Sequence, residues 1–287
     1  MSASVAVAVV THNGASWIRD VLTSILRQSV SVDRVVVVDD HSDDATCEIV
    51  RSAFGSDVLL TSARQPPTST SSDTYSRIAA NFVQAVRECG PVDLVAVADQ
   101  DDLWHQDRIA RQVETIGASA MLASDGTLVD EGGRALGGTL RSVFPIPAGF
   151  ASADAGVRMR MALRHSIATG SASLVRPRLL DERGVLDVPA GWLHDRWWSL
   201  AACAMDAMTV DDAVVIDYRI RADQVVGLDG GRQRGGRMTR LVGHGRRLRT
   251  TMSKVADVHD RLSVVAASDR IRAELTRPRI ALTMLGG

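Results

Sequence analysis

Lysine is almost absent from this chain: Lys254 is the single one in 287 residues. A phosphohydrolase built on an Asp-X-Asp nucleophile pair wants a lysine beside its phosphate, and the one available lies in the C-terminal tail. Long apolar runs are missing too, since no stretch approaches the roughly 18 uninterrupted apolar residues of a membrane span. Met1-Ser2-Ala3-Ser4 offers no basic leader ahead of an apolar segment, so the sequence predicts a cytosolic protein without a signal peptide. Cys47, Cys89 and Cys203 are odd in number and lack metal-ligand spacing, which excludes a disulfide framework and a zinc site. Neither a Gly-X-Gly-X-X-Gly turn nor a Walker loop follows any apolar run. Bound phosphate must therefore be met by a metal ion or by arginines.

What is present is an alternation of short apolar runs with segments of helical period. Val5 to Val10, Val35 to Val38, Val58 to Leu60 and Leu94 to Ala98 read as buried strands. Between them Trp17, Ile18, Val21, Leu22, Ile25 and Leu26, then Ile49, Val50 and Phe54, then Ile78, Phe82, Ala85 and Val86 recur at helical spacing. Ser42 or Asp43 is placed to cap the second helix, and Ser62 to Thr74 reads as a long loop. The order predicts an α/β fold with a mostly parallel central sheet flanked by helices.

Two of these strands end in acids. Asp39 and Asp40 follow the second, and Asp99-Gln100-Asp101-Asp102-Leu103-Trp104 follows the fourth. Carboxylates there lie at the carboxyl edge of the sheet, where open α/β folds bind ligands. Asp99 and Asp101 are two residues apart and point the same way on an extended segment. Together they make an oxygen-rich site for Mg²⁺ or Mn²⁺, whose shell a substrate's phosphates complete. The alternative is a solvated turn capping the helix that begins near Gln106.

Further on, Met121 to Ser124 and Thr127 to Val129 read as two short strands about Asp125-Gly126, and Arg158 to Leu163 as part of a helix. Thr169-Gly170-Ser171-Ala172 is small enough to let a ligand approach the backbone. Three of the five tryptophans, Trp192, Trp197 and Trp198, fall within seven residues around His194 and Asp195. Asp195 reads either as the N-cap of a helix from Trp197 to Ala204 or as a general base beside an aromatic wall. Val214 to Tyr218 is a last strand, after which Arg219 and Arg221 alternate on one face. They suit a pyrophosphate, or equally the surface of an edge strand.

Taken together, Val9-Val10-Thr11-His12-Asn13-Gly14, Val38-Asp39-Asp40-His41-Ser42-Asp43-Asp44-Ala45-Thr46, Ala98-Asp99-Gln100-Asp101-Asp102-Leu103-Trp104, Thr169-Gly170-Ser171-Ala172, His194-Asp195-Arg196-Trp197-Trp198 and Tyr218-Arg219 with Gly227 resemble the family 2 glycosyltransferases of GT-A fold, in the rhamnosyltransferase-like branch. The resemblance spans roughly residues 4 to 227 in the right order. It implies an inverting transfer of a sugar, rhamnose or another hexose, from a UDP- or dTDP-type donor to an acceptor hydroxyl, assisted by Mg²⁺ or Mn²⁺. On it, Thr11, Asn13 and Asp39 contact the nucleotide, Asp99 and Asp101 hold the ribose and the metal, and Asp102 supports them. Gly170, Arg219 and Arg221 complete the donor side, and Asp195 is the catalytic base. Trp104, Trp192, His194, Trp197 and Trp198 stand on the acceptor side. Two positions depart from the pattern: Ala80 stands where an Arg is common, leaving Arg77 or Arg64 to substitute, and Arg221 stands where the branch has a His.

The implied division is a transferase domain over 1–227 and a basic helical extension over 228–287. Arg232, Arg234, Arg237, Arg240, Arg246, Arg247 and Arg249 crowd that extension, although the whole chain carries a net charge of only −1. The run reads as a solvated helical face, or as a peripheral contact with the inner face of a membrane bearing a lipid-linked acceptor. A saccharide or another small molecule is an equal candidate for acceptor. No nucleic-acid module accompanies the run, so no nucleic acid is expected. Besides the transferase, an Asp-X-Asp phosphohydrolase and a non-catalytic nucleotide-sugar binding domain stay open; the distance of Asp195 from Asp99 separates the last from the first.

Overall fold

β-Branched runs form the sheet because their side chains fill both faces of a pleated strand. In the computed structural model, which describes residues 3–64, 71–221 and 252–285, β1 (Val5–Thr11), β2 (Arg34–Asp39), β3 (Leu59–Ser62) and β4 (Leu94–Asp99) alternate with α1 (Ile18–Leu26), α2 (Thr46–Phe54) and α3 (Ser71–Glu88). These four strands are parallel, in the spatial order β3-β2-β1-β4. Strand alternation divides their side chains between two cores. Ala6, Ala8, Val36, Val38, Val95 and Val97 face one, with Phe82 and Val86 of α3. Val5, Val7, Val9, Val35, Val37 and Leu94 face the other, with Ile18, Leu22 and Ile25 of α1.

The register fixes where the chemistry lies. Thr11 pairs with Asp39 across β1 and β2, and Val10 pairs with Asp99 across β1 and β4. Three of the expected site residues thus share one carboxyl edge, at the point where the strand order reverses around β1.

The second half adds β5 (Leu103–Trp104), α4 (Arg108–Ile116), β6 (Met121–Val129), β7 (Ala135–Thr139), α5 (Leu140–Val143), α6 (Ala155–Arg164), β8 (Ser173–Val175), α7 (Pro177–Glu182), α8 (His194–Ala204) and β9 (Met208–Arg219). The sheet continues as β4-β8-β6-β9-β5, with β7 on β6. Here pairing is mixed: β8 runs antiparallel to β4 and β6, while β9 runs parallel to β6.

Three local expectations are corrected. Asp125-Gly126 is no turn, because β9 pairs along the whole of β6 and absorbs the irregularity as a register shift. Helix α8 begins at His194, three residues early, and its N-cap is Leu193, so Asp195 lies inside the first turn and is not the N-cap. Neither Ser42 nor Asp43 caps α2: Thr46 donates its N–H to Asp44 Oδ1 at 2.9 Å, and the Ser42 hydroxyl is taken by Asp39.

Beyond β9, the helical stretch 252–265 and the helices Asp269–Glu274 and Arg277–Leu285 pack Val258, Leu262, Ile271, Leu275 and Ile280 into the core that holds α6 and α8. The arginines from Arg232 to Arg249, and Gly227 with them, lie outside the described residues. Among the described residues no helix is long and apolar enough to cross a membrane.

Gly126 lies where β6 packs closely on β9 and α5. A Cβ there meets Ile216 Cγ1 at 2.7 Å and Leu140 Cδ1 at 3.0 Å. Gly126→Ala is expected to cost about 1–3 kcal/mol by overpacking, read as a lower urea midpoint at unchanged slope. An unchanged midpoint contradicts this packing.

Candidate active site

The edge where β1, β2 and β4 end is tied together by side chains of the loops that leave it. Gln100 Oε1 accepts from Thr11 Oγ1 at 2.8 Å and from the His12 N–H at 2.7 Å, locking the end of β1 to the turn after β4. Gly14 is required here, since a Cβ would lie 2.6 Å from that same Gln100 oxygen. Asn13 takes a positive φ of 50° and receives the Asp43 N–H on its amide oxygen, while its own N–H donates to Ser42 Oγ. Ser42 in turn donates its hydroxyl and N–H to the Asp39 carboxylate, at 2.5 and 3.1 Å. Thr11, Asn13 and Asp39 therefore form one wall. Arg77 stands behind it with Nε 3.4 Å from the buried carboxylate of Asp40, whereas Arg64 pairs with Glu88 on the outer surface.

Next to this wall lie the three acids after β4. Asp101 and Asp102 are buried, and arginines approach them from three directions. Below, the fully buried Arg108 donates to the carbonyls of Val97 and Ser173 at 3.0 and 3.2 Å, and to Gln112 Oε1, with its guanidinium 3.7 Å from the Trp104 ring centre. Behind, Arg219 gives its N–H to Asp102 Oδ1 and its Nε to the Asp101 carbonyl, both at 2.9 Å, and spans to the carbonyls of Asp130 and Glu131. In front, Arg221 places Nε 3.3 Å from Asp101 Oδ2, its guanidinium 4.3 Å from the Trp17 ring centre.

Crowding sets the electrostatics. Burial, then the charges of Asp101 and Asp195, push the Asp99 carboxyl up to about 7. Asp102 is raised as well, by burial and by its two acidic neighbours. Burial brings Arg108 down to about 9, and Asp102 and Asp99 act the other way. Asp99 and Asp101 offer oxygen ligands for a hard cation at a place where added positive charge relieves repulsion.

The opposite wall comes from β8 and α8. Asp195 Oδ2 accepts the Gly170 N–H at 3.2 Å, and Oδ1 accepts from Arg196 N at 2.6 Å. Asp195 is close enough to Asp99 for its charge to be felt there. Gly170 admits no side chain, because a Cβ would stand 2.6 Å from His194 Nε2. His194 stacks on Phe82 with centroids 3.8 Å apart, and burial lowers its pKa to about 4, so it is neutral at pH 7.

The expected aromatic wall is overturned. Trp192, Trp197 and Trp198 are at most 2% exposed, and their indole N–H groups donate to Asp257, the Val185 carbonyl and the Leu186 carbonyl. They are core residues: Trp197 and Trp198 lie on α8 and Trp192 just before it, and all three are buried in the core that also holds α3 and α6. His194 is buried among them, and Trp104, 5% exposed, faces Arg108 rather than a cleft. Nothing in the sequence assigns a role to the side chains of Arg108, Gln100 and Ser171, and Trp17 reads there as part of the apolar stripe of α1.

Residues 6–136 match the model described as Glycosyl transferase family 2. The fold as a whole is that of the GT-A glycosyltransferases. S. aureus TarS 1-349 in complex with UDP-GlcNAc aligns at a TM-score of 0.55 and 18% identity, over 77% of this chain and 60% of that one. The mannosyltransferase PcManGT from Pyrobaculum calidifontis, in complex with GDP-Man and Mn²⁺, aligns at 0.54 and 19% identity, over 98% and 70%. In sequence, the dTDP-rhamnosyl transferase RfbG of Shigella flexneri is 26% identical over 112 residues, which is 37% of this chain and 36% of that protein. The chain thus spans little more than a third of that relative's length in the match. The family match includes Thr11, Asp39, Asp99, Asp101 and Arg108, and ends before Asp195, Arg219 and Arg221.

The raised Asp99 carboxyl has a consequence for stability. Between its ordinary value of 3.8 and about 7 the folded chain holds a proton that the unfolded chain has lost. The folded state then binds more protons, so stability falls as pH rises through that window. In metal-free buffer, Asp99→Asn is expected to melt above the native chain at pH 8, with the gap closing toward pH 5. A gap independent of pH contradicts the assignment.

Proposed function

We propose that the chain is an inverting glycosyltransferase, moving rhamnose or another hexose from a UDP- or dTDP-sugar to an acceptor hydroxyl. What supports this reading is that Asp195, held by the Gly170 N–H at 3.2 Å, lies near enough to Asp99 for its charge to act on that carboxyl. A non-catalytic nucleotide-binding domain has no need of that arrangement. Nor does the phosphohydrolase reading gain a lysine, since Lys254 Nζ sits 4.6 Å from the ring of buried Trp192.

On this reading, Thr11, Asn13 and Asp39 receive the nucleotide's base, with Arg77 behind them, and Asp99 the ribose. Asp99 and Asp101 would hold a divalent cation, Mg²⁺ or Mn²⁺. Among the described residues no three His, Cys, Asp or Glu side chains form a cage, so the donor's diphosphate must complete the shell. When bound, such an ion neutralises charge growing on the leaving diphosphate. The complex of PcManGT with GDP-Man and Mn²⁺ supports the choice of ion.

Asp195 supplies the base. A single displacement needs one carboxylate to take the acceptor proton, not the two flanking carboxylates of a hydrolase. The Gly170 N–H at 3.2 Å orients its Oδ2, and neutral His194 beside it adds no competing charge. A carboxylate is a weak base for an alcohol, so proton transfer comes late, when bonding to the sugar carbon has made the hydroxyl acidic. Arg219 keeps its place as a strap that holds the acidic turn under the donor. The acceptor is a saccharide, a lipid-linked carrier at the inner face of a membrane, or a small molecule.

Thermal shifts with UDP, dTDP, GDP and ADP, each with Mn²⁺ or EDTA, test the donor site, because a ligand of the native state raises its apparent stability. UDP or dTDP with Mn²⁺ is expected to raise the melting temperature of both the native chain and Asp195→Asn. Turnover of that variant should fall about 10²–10⁴-fold, as expected for loss of a general base. No shift with any nucleotide sinks the donor reading, and full turnover in Asp195→Asn sinks the base.

A further inference from the structure

One of the two carboxylates assigned to the metal already has a cation of the chain on it. Arg221 Nε lies 3.3 Å from Asp101 Oδ2, and both side chains are 9% exposed. The Trp17 ring, 4.3 Å from the guanidinium carbon, backs the contact on its other side. The other arginines of the cluster are built in differently. Arg108 is anchored beneath the sheet end by the Val97 and Ser173 carbonyls, and Arg219 by those of Asp101, Asp130 and Glu131. Both hold backbone, whereas Arg221 meets a carboxylate oxygen that a metal would use.

We propose that Arg221 is a resident counter-ion that keeps Asp101 from binding a divalent cation until a nucleoside diphosphate draws the guanidinium onto its phosphates. The proposal rests on the donor-site reading above. Its logic is one of charge. A metal arriving alone must displace a buried arginine from Asp101 or share that carboxylate with it, so its affinity is low. A diphosphate offers the guanidinium a bidentate partner of higher charge. Once Arg221 moves to it, Asp101 is left with Asp99 and Asp102 in a cluster that a divalent cation neutralises. Nucleotide and metal therefore bind with positive coupling, and Arg221 carries a share of it.

Free Mn²⁺, followed by its electron paramagnetic resonance signal during titration of the full chain, measures metal binding directly, with and without UDP or dTDP. Titration calorimetry in EDTA measures nucleotide binding alone. Arg221→Gln is expected to bind Mn²⁺ alone about tenfold tighter than the native chain and nucleotide in EDTA about tenfold weaker, a coupling within the ordinary range for linked sites. Arg221→Lys keeps the charge and should stay near the native Mn²⁺ affinity, which separates a counter-ion from a merely structural residue. The gain in Arg221→Gln should vanish in Arg221→Gln/Asp101→Asn. Unchanged or weaker Mn²⁺ binding by Arg221→Gln, or a gain that survives loss of Asp101, overturns the proposal while nucleotide binding stands. Absence of nucleotide binding by the native chain overturns the donor reading and this proposal with it.

Discussion

Three carboxylates packed at the end of β4 are the constraint on which the site half of the molecule depends. Close-set carboxylates out of water repel one another and resist ionisation, and Asp99 and Asp102 show the strain in their raised pKa values. The chain answers with arginines from α4, from the last residue of β9 and from the segment just beyond it. Each also has to be held. Arg108 can sit under the cluster only because the carbonyls of β4 and β8 and the side chain of Gln112 accept its N–H groups. Arg219 can sit behind it only because β9 ends there, with its backbone N–H on Asp102. The pairing of β8 with β4 and the reach of β9 back to the acidic turn are thus coupled to the charges they serve.

The same hydrogen bonds orient the two walls of the cleft. Gln100 lies between Asp99 and Asp101 in sequence, yet its side chain reaches across to Thr11 and His12, so the nucleotide wall and the acidic turn form one piece. On the far side, the short β8 brings Gly170 to Asp195, and α8 then carries its indoles into the core. Anchored in this way, Asp195 is held by a helix packed on the sheet rather than by a mobile loop. For the base role proposed for Asp195, such a rigid support fixes the carboxylate's position.

Much of this is legible in the sequence, and the boundary of legibility has a physical cause. β1, β2 and β4 declare themselves because runs of Val and Ala buried on both faces have few other uses, and the acids that end them fall at the ligand edge by topology. Trp192, Trp197 and Trp198 mislead because a cluster of indoles beside an acid looks the same whether it lines a cleft or fills a core. Only burial tells them apart. Asp125-Gly126 carries a local turn signal that pairing with β9 overrides, as tertiary context does for strand propensity in general. Arg108 is invisible for the opposite reason: an arginine on an amphipathic helix is usually a surface residue, and nothing local says that this one faces inward.

The two departures from the family pattern acquire a common sense at this level. Ala80 lacks the positive charge common at its position, and Arg64 cannot replace it because it is spent on Glu88 at the surface. Arg77, one helical turn earlier, instead stands against Asp40, directly behind the nucleotide wall. At the other end, Arg221 puts a permanent charge where a histidine would be neutral at pH 7 and free to ligate a metal. One cation is withdrawn from the α3 side of the donor site and another is set on the acidic turn itself. Asp101, one of the two carboxylates proposed for the metal, is thereby already in contact with a cation of the chain itself.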